Sequence, residues 1–185
     1  MALTPSNMLP LGTVAPDFRL MDTVSGKQRA FAELRSGTAT VVMFICNHCP
    51  YVKHVNPELI RIAHDYQPRG VAFIAISSND VATHPEDAPS KMEEAAQRLG
   101  YPFPYLYDET QDIARAYQAA CTPDLFLFGR DQKLAYRGRL DGSTPRNEVP
   151  LTGKDLRAAL DAVLAGQQVA ADQKPSMGCD IKWKN

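Results

Sequence analysis

The sequence predicts an α/β sandwich in which a central mixed β-sheet is flanked by helices. Three observations carry that expectation. Continuous β-branched and aromatic runs, Thr38 to Ile45 and Gly70 to Ser77, suit strands buried on both faces. From Pro50 the period changes, with Val52, Val55, Leu59, Ile62 and Ala63 recurring at helical spacing. The order strand, helix, strand, helix, then a β-hairpin and a closing helix makes the sheet parallel first and antiparallel at its edge.

The elements follow in chain order. Residues 15–30 alternate weakly around a Ser25-Gly26 turn and suit a β-hairpin, and residues 31–35 suit one helical turn. The strand at 38–45 leads to an amphipathic helix from 50 to about 66, then the strand at 70–77. A polar loop with His84, Pro85 and Pro89 precedes a helix over roughly 90–99, which Gly100 and Pro102 end. Tyr105 to Tyr107 reads as a short edge segment and 110–119 as a helix. A strand at 124–128 turns through 129–132 into a hairpin partner at 133–137. The closing helix covers 156–164 and is entered through T-G-K-D. The last twenty residues lack a period and read as a tail, about 166–185, packed back on a single domain spanning 1–185.

At 185 residues and 44% hydrophobic content the chain can bury one ordinary core. A formal net charge of −1, with Lys and Arg spread along the chain, gives no electrostatic basis for nucleic-acid or anionic-membrane binding. The start M-A-L-T-P-S-N-M-L-P has no basic n-region or apolar h-region, and no apolar run is long enough to span a bilayer. A soluble cytoplasmic protein is therefore expected. Its four cysteines are too few for a disulfide scaffold, so any pattern among them points to chemistry or a metal.

Two of them form a C-x-x-C pair, Cys46 and Cys49, in F-I-C-N-H-C-P-Y-V-K. Cys49 stands where the buried strand meets the helix, and Pro50 takes the favoured first helical position, so Cys49 is the expected N-cap. Unpaired N–H groups and the helix dipole favour a thiolate there, lowering a cysteine pKa from about 8.5 to roughly 3.5–7.5. Lys53, one turn on, adds a cation. Cys49 is the expected nucleophile. Cys46, three residues earlier at the strand's end, is its expected partner thiol, since an i, i+3 pair in a turn can approach disulfide geometry.

These residues resemble a thioredoxin-fold active site, in which C-x-x-C-K opens a helix that carries a later proline. With Cys49 on the family's attacking cysteine, Lys53 falls on its lysine and Pro57 on its kinking proline. That register puts His48 on the family's tryptophan and Val52 on its second cysteine, so the usual resolving thiol is absent. More closely, the chain resembles the peroxiredoxin-like branch of the alkyl hydroperoxide reductase and thiol-specific antioxidant superfamily. The marks are C-N-H-C-P-Y-V-K-H at 46–54, C-T-P-D-L-F-L-F at 121–128, Y-R-G-R-L-D at 136–141, V-P-L-T-G-K-D-L-R-A-A-L at 149–160 and K-P-S-M-G-C-D-I-K-W at 174–183. The resemblance implies a thioredoxin-like three-layer sandwich with an N-terminal hairpin extension. True peroxiredoxins carry P-x-x-x-T-x-x-C. Here Cys49 stands at the threonine position and Val52 at the cysteine position, so peroxidase chemistry departs from the pattern.

The resemblance also implies a cis bond at Thr122-Pro123, facing the cysteines, with Thr122 offering its backbone to an extended substrate. Cys121 has two readings, a thiol that resolves or tunes Cys49 and a small buried apolar residue. Cys179 likewise is either a resolving thiol folded back on the tail or a cysteine buried beneath Trp183. His48 and His54 are expected to face solvent beside the site, and Tyr51 to pack or form a pocket wall. His48, Pro50 and Tyr51 join Thr122 and Pro123 as the expected substrate-binding set.

The function expected from all this is a thiol–disulfide oxidoreductase with no cofactor. Cys49 attacks, and Cys46, or alternatively Cys121 or Cys179, resolves. The substrate is a protein or small-molecule disulfide, or else a peroxide, and a thiol reductant of unassigned identity restores the pair. Two alternatives stand beside it: a thiol-dependent peroxidase, and a copper- or zinc-binding module using Cys46, Cys49, His48 and a remote cysteine.

Overall fold

The computed structural model describes residues 3–184. Met1, Ala2 and Asn185, which the 1–185 domain expectation includes, lie outside the described residues. In chain order the elements are β1 (Leu3–Pro5), β2 (Arg19–Asp22), β3 (Gln28–Ala30), α1 (Phe31–Leu34), β4 (Ala39–Phe44), α2 (Pro50–Tyr66) and β5 (Val71–Ser77). They continue with α3 (Pro89–Leu99), β6 (Tyr105–Tyr107), α4 (Asp112–Ala116), β7 (Cys121–Thr122), β8 (Asp124–Phe128), β9 (Leu134–Gly138), α5 (Lys154–Leu164) and β10 (Met177–Asp180).

Seven strands form the central sheet in the order β3-β2-β6-β5-β4-β8-β9. The β4–β5 and β5–β6 pairs are parallel; β8 and β9 on one side, and β2 and β3 on the other, run antiparallel. Tyr105 to Tyr107, expected at an edge, is instead internal. The N-terminal hairpin covers it, pairing Met21 with Tyr107 and Asp22 with Leu106. Three residues are too short to show that they need a partner on each side, and the partner lies some eighty residues earlier in the chain.

β4 explains why its sequence runs apolar without alternation. Val41 and Met43 enter a core shared with Val52, Leu59, Ile62, Leu156 and Leu160 of α2 and α5. Val42 and Phe44 point the other way, into a second core with Phe18, Phe31, Ile74, Tyr117 and Phe126. Both faces are covered, so every position of the strand is buried.

The helix expected over 110–119 is shorter. Gln111 takes a left-handed conformation (φ 66°) as its N-cap, and Gln118 takes another (φ 51°) beyond its end. The Gln111 side chain donates to Ser78 O at 2.6 Å and Lys182 O at 2.7 Å, tying this turn to the C-terminal segment. That segment is not an irregular tail throughout. β10 lies between β1 and β7 in a second, three-stranded sheet, pairing Cys179 with Thr122 and Asp180 with Cys121. Among the described residues, no helix is long and apolar enough to cross a membrane.

Candidate active site

β4 ends at Phe44, and the loop 45–49 delivers Cys49 to the N-cap of α2, with Pro50 at the first helical position. The first intrahelical bond runs from Lys53 N–H to Cys49 O at 3.0 Å. Cys49 is fully buried, and its sulfur sits 2.9 Å from that of Cys179. A covalent S–S bond is about 2.05 Å, so the two atoms are within an ångström of bonding distance. In its thiol form Cys49 donates to Thr122 O at 3.2 Å.

The environment separates the sulfurs electrically. Cys49 is pulled down to about 4, first by a hydrogen bond from the Cys46 thiol. Burial opposes this, while the Cys179 thiol and the backbone N–H groups of Val52 and Cys179 reinforce it. Cys46 is pushed well above the ordinary thiol range by the same bond to Cys49, by burial and by the Asp87 charge. Cys179 is pushed up to about 12 by burial and by its bond to Cys49. One thiolate flanked by two thiols is the arrangement a nucleophile with waiting partners requires. Lys53, expected to supply a cation, is not among the largest influences on Cys49. It is exposed and lines a groove between α2 and α3 with Asn56, Ala95 and Arg98.

Thr122-Pro123 is cis. Thr122 places Oγ1 3.4 Å from Cys46 Sγ, and β10 of the chain itself lies along its backbone, where the resemblance implied an extended substrate. Pro123 lines a small cavity with Tyr51, His54, Ser143, Ser176 and Met177, so Tyr51 is a pocket wall. Pro50 is exposed at the helix start. Cys121 is fully buried, its sulfur 3.6 Å from Pro123 O, and burial raises it far above its ordinary range. Neighbouring strand residues point to opposite faces, so Thr122 turns toward the Cys46–Cys49 loop and Cys121 away from it.

His48 departs from the solvent-facing expectation. Its side chain is only 10% exposed, with Nδ1 2.6 Å from Asp87 Oδ2 and its ring centroid 4.7 Å from that of His84. The Asp87 bond raises His48 above its usual value. His48 Nε2 is buried and makes no hydrogen bond among the described residues. His54 pairs through Nε2 with Ser143 Oγ at 2.8 Å.

Asp87 was not legible in the sequence. It sits fully buried in the short turn Pro85–Asp87, and no local pattern separates it from neighbouring Glu86. Its carboxylate accepts from Asn47 N (2.7 Å), His48 N (3.2 Å) and Asn79 Nδ2 (2.8 Å), besides the His48 ring. Cys46, His48 and Asp87 bring donor atoms within 4.8 Å of one another, a metal-capable grouping. The Asp87 oxygens, however, are engaged by these hydrogen bonds, so a cation there would have to displace them. Asn79 extends the network by accepting from Lys182 N at 2.9 Å, which links the C-terminal segment to the cysteine loop.

The model of the AhpC/TSA family matches residues 11–137. The chain belongs to the AhpC/TSA family. The match stops before β10, so Cys179 lies outside it. Among curated proteins, the chain is similar to the thiol-disulfide oxidoreductase ResA of Geobacillus thermodenitrificans. The two are 24% identical over 131 residues, 71% of this chain and 70% of that one. Among solved structures, an uncharacterized conserved protein from Geobacillus kaustophilus is 57% identical, with a TM-score of 0.98 over 100% of this chain and 97% of that one. A secreted disulfide oxidoreductase of Mycobacterium tuberculosis is 18% identical with a TM-score of 0.60, over 78% of this chain and 95% of that one, and shares the thioredoxin-like fold.

Proposed function

We propose that this AhpC/TSA protein is a thiol–disulfide oxidoreductase whose working pair is Cys49 and Cys179. The observation that carries the reading is the 2.9 Å separation of the two sulfurs at the N-terminus of α2. Cys49 is the thiolate and attacks a substrate disulfide, forming a mixed disulfide and releasing the first thiolate. Cys179, held opposite, then attacks the Cys49 sulfur and releases the second, leaving a Cys49–Cys179 bridge that an external thiol reductant reopens. Cys46 tunes the pair by donating to the Cys49 thiolate, which replaces the partner role expected from the C-x-x-C spacing. The ResA relatives support the reaction class and the family supports redox chemistry at sulfur.

The test is trapping. Cys179→Ser, treated with bis(2-hydroxyethyl) disulfide, is expected to hold a stable adduct on Cys49, read by intact mass and peptide mapping. Cys46→Ser is expected to complete the cycle. If Cys46→Ser accumulates the adduct and Cys179→Ser does not, Cys46 is the resolving thiol and this assignment is wrong. A peroxide-consumption assay on the same variants tests the peroxidase alternative.

A further inference from the structure

Away from the buried sulfurs, α2 and α3 leave an open groove between them with a volume of about 490 Å³. That lies within the roughly 300–1,000 Å³ typical of small-molecule sites. Part of its wall is apolar, built from Ile60 of α2 and from Ala95 and Leu99 of α3. Lys53 of α2 and Arg98 of α3 add two cations, and among the described residues no aspartate or glutamate lines it. Neither cation is in an ion pair among the described residues. Glu94, one turn before Arg98, pairs with Lys91 at 2.8 Å instead.

The wall also holds a nearly enclosed donor. Asn56, in the middle of α2, is only 7% exposed and lines the same groove. Its Oδ1 accepts from the Tyr101 hydroxyl at 3.0 Å, which leaves Nδ2 as the available end of the amide. Nδ2 makes no hydrogen bond among the described residues. It is not one of the sealed unpaired atoms of the core, so it opens on the groove that the residue lines. Buried polar groups are nearly always paired, and a donor held in this way calls for an acceptor from outside the chain.

From the unmatched donors and the apolar wall together, we infer that the α2–α3 groove binds a small organic anion, an acidic head group on an aliphatic body. The head accepts from Asn56 Nδ2 and pairs with Lys53 and Arg98, while the body covers Ile60, Ala95 and Leu99. Hydrogen bonds to a charged acceptor are the stronger kind, and two unopposed cations favour one. A neutral apolar ligand would cover the cations and the amide without satisfying them. A bare inorganic anion would leave the apolar wall in water. Carboxylate and phosphate heads share this chemistry. The inference stands apart from the thiol–disulfide reading, because the groove contains none of the four cysteines.

The experiment titrates the full-length protein with octanoate, octyl phosphate, octan-1-ol and acetate. Affinity is read by calorimetry, and the contact is located by backbone amide NMR shifts. Octanoate or octyl phosphate is expected to bind, with shifts centred on residues 53–60 and 95–101, and the tighter of the two names the head group. Octan-1-ol and acetate each lack one half of the ligand and are expected to bind more weakly by roughly tenfold or more. The double variant Lys53→Gln/Arg98→Gln is expected to weaken the anion by roughly tenfold or more. Asn56→Asp keeps an acceptor for Tyr101 but sets a carboxylate where the donor stood, and is expected to abolish binding. Lys53 and Arg98 are exposed, so the double variant decides the matter if Asn56→Asp fails to fold. Neither anion binding, acetate or octan-1-ol matching them, shifts centred elsewhere, or affinity unmoved in the double variant each overturns the inference. None of these outcomes bears on the chemistry at Cys49.

Discussion

At Cys49 the helix N-terminus is one contributor among several. The largest influence on the thiolate is the hydrogen bond from Cys46, and only then come Cys179 and the backbone N–H groups. Thiolate formation, followed by absorbance near 240 nm in wild type minus Cys49→Ser, is expected to persist down to about pH 5 and to be lost as pH falls through about 4. A hydrogen bond to a charged group contributes roughly 1.5–3 kcal/mol, equivalent to about 1–2 pH units. Cys46→Ala is therefore expected to raise the midpoint by about that much. An unmoved midpoint rules Cys46 out as the tuning group. A second buried acid behaves in the opposite sense. Burial raises Asp124 to about 7, although Ser6 Oγ donates to it at 2.8 Å. A carboxyl raised in the folded state contributes stability that is full below its unfolded value of about 3.9 and is lost as pH rises through the folded value. The melting temperature of the wild type is thus expected to fall, relative to Asp124→Asn, from pH 4 to pH 7 and to run parallel above pH 8. The variant's lost acceptor for Ala120 N–H adds only a pH-independent offset. Parallel curves throughout would show that Asp124 stays ionised.

At the scale of elements, legibility follows the length of the signal. The strand at β4 and the helix α2 were readable because six and seventeen residues repeat one pattern. Pro50 marks Cys49 as the N-cap, and Lys53 and Pro57 set it in register with the family's attacking cysteine. β6, α4 and β10 were misread or missed because three to five residues carry no period, and each depends on partners distant in sequence. Cys179 was identified from its residue type, while its place opposite Cys49 comes from β7 and β1, which local pattern does not announce. The entry to α5 shows a related constraint. Gly153 caps it at φ 67°, and a Cβ there would lie 2.5 Å from Ile62 Cδ1 of α2. Strain and overpacking together predict that Gly153→Ala destabilises the protein by about 1–3 kcal/mol in urea unfolding. A loss below about 0.5 kcal/mol would mean that α5 shifts without cost.

Across the whole molecule, the first and last strands, β1 and β10, meet beside Cys49. β1 pairs with β10, β10 pairs with β7, and β7 leads directly into the central sheet through Pro123. The site is assembled from the loop after β4, the cis-proline turn and the C-terminal strand. Residues 11–137 carry the family pattern, and Cys179, the proposed partner, lies outside it. The AhpC/TSA frame was therefore readable from motifs, whereas the buried Asp87–Asn79–Lys182 network was not, because Asn79 and Asp87 meet across an irregular loop and Lys182 joins them from about a hundred residues further on. The most direct measurement is disulfide mapping of the wild-type protein after mild oxidation under native conditions. A single bridge joining the Cys49 and Cys179 peptides, with Cys46 and Cys121 alkylated as thiols, is the predicted result. A Cys46–Cys49 bridge, or no bridge to Cys49, would contradict the account.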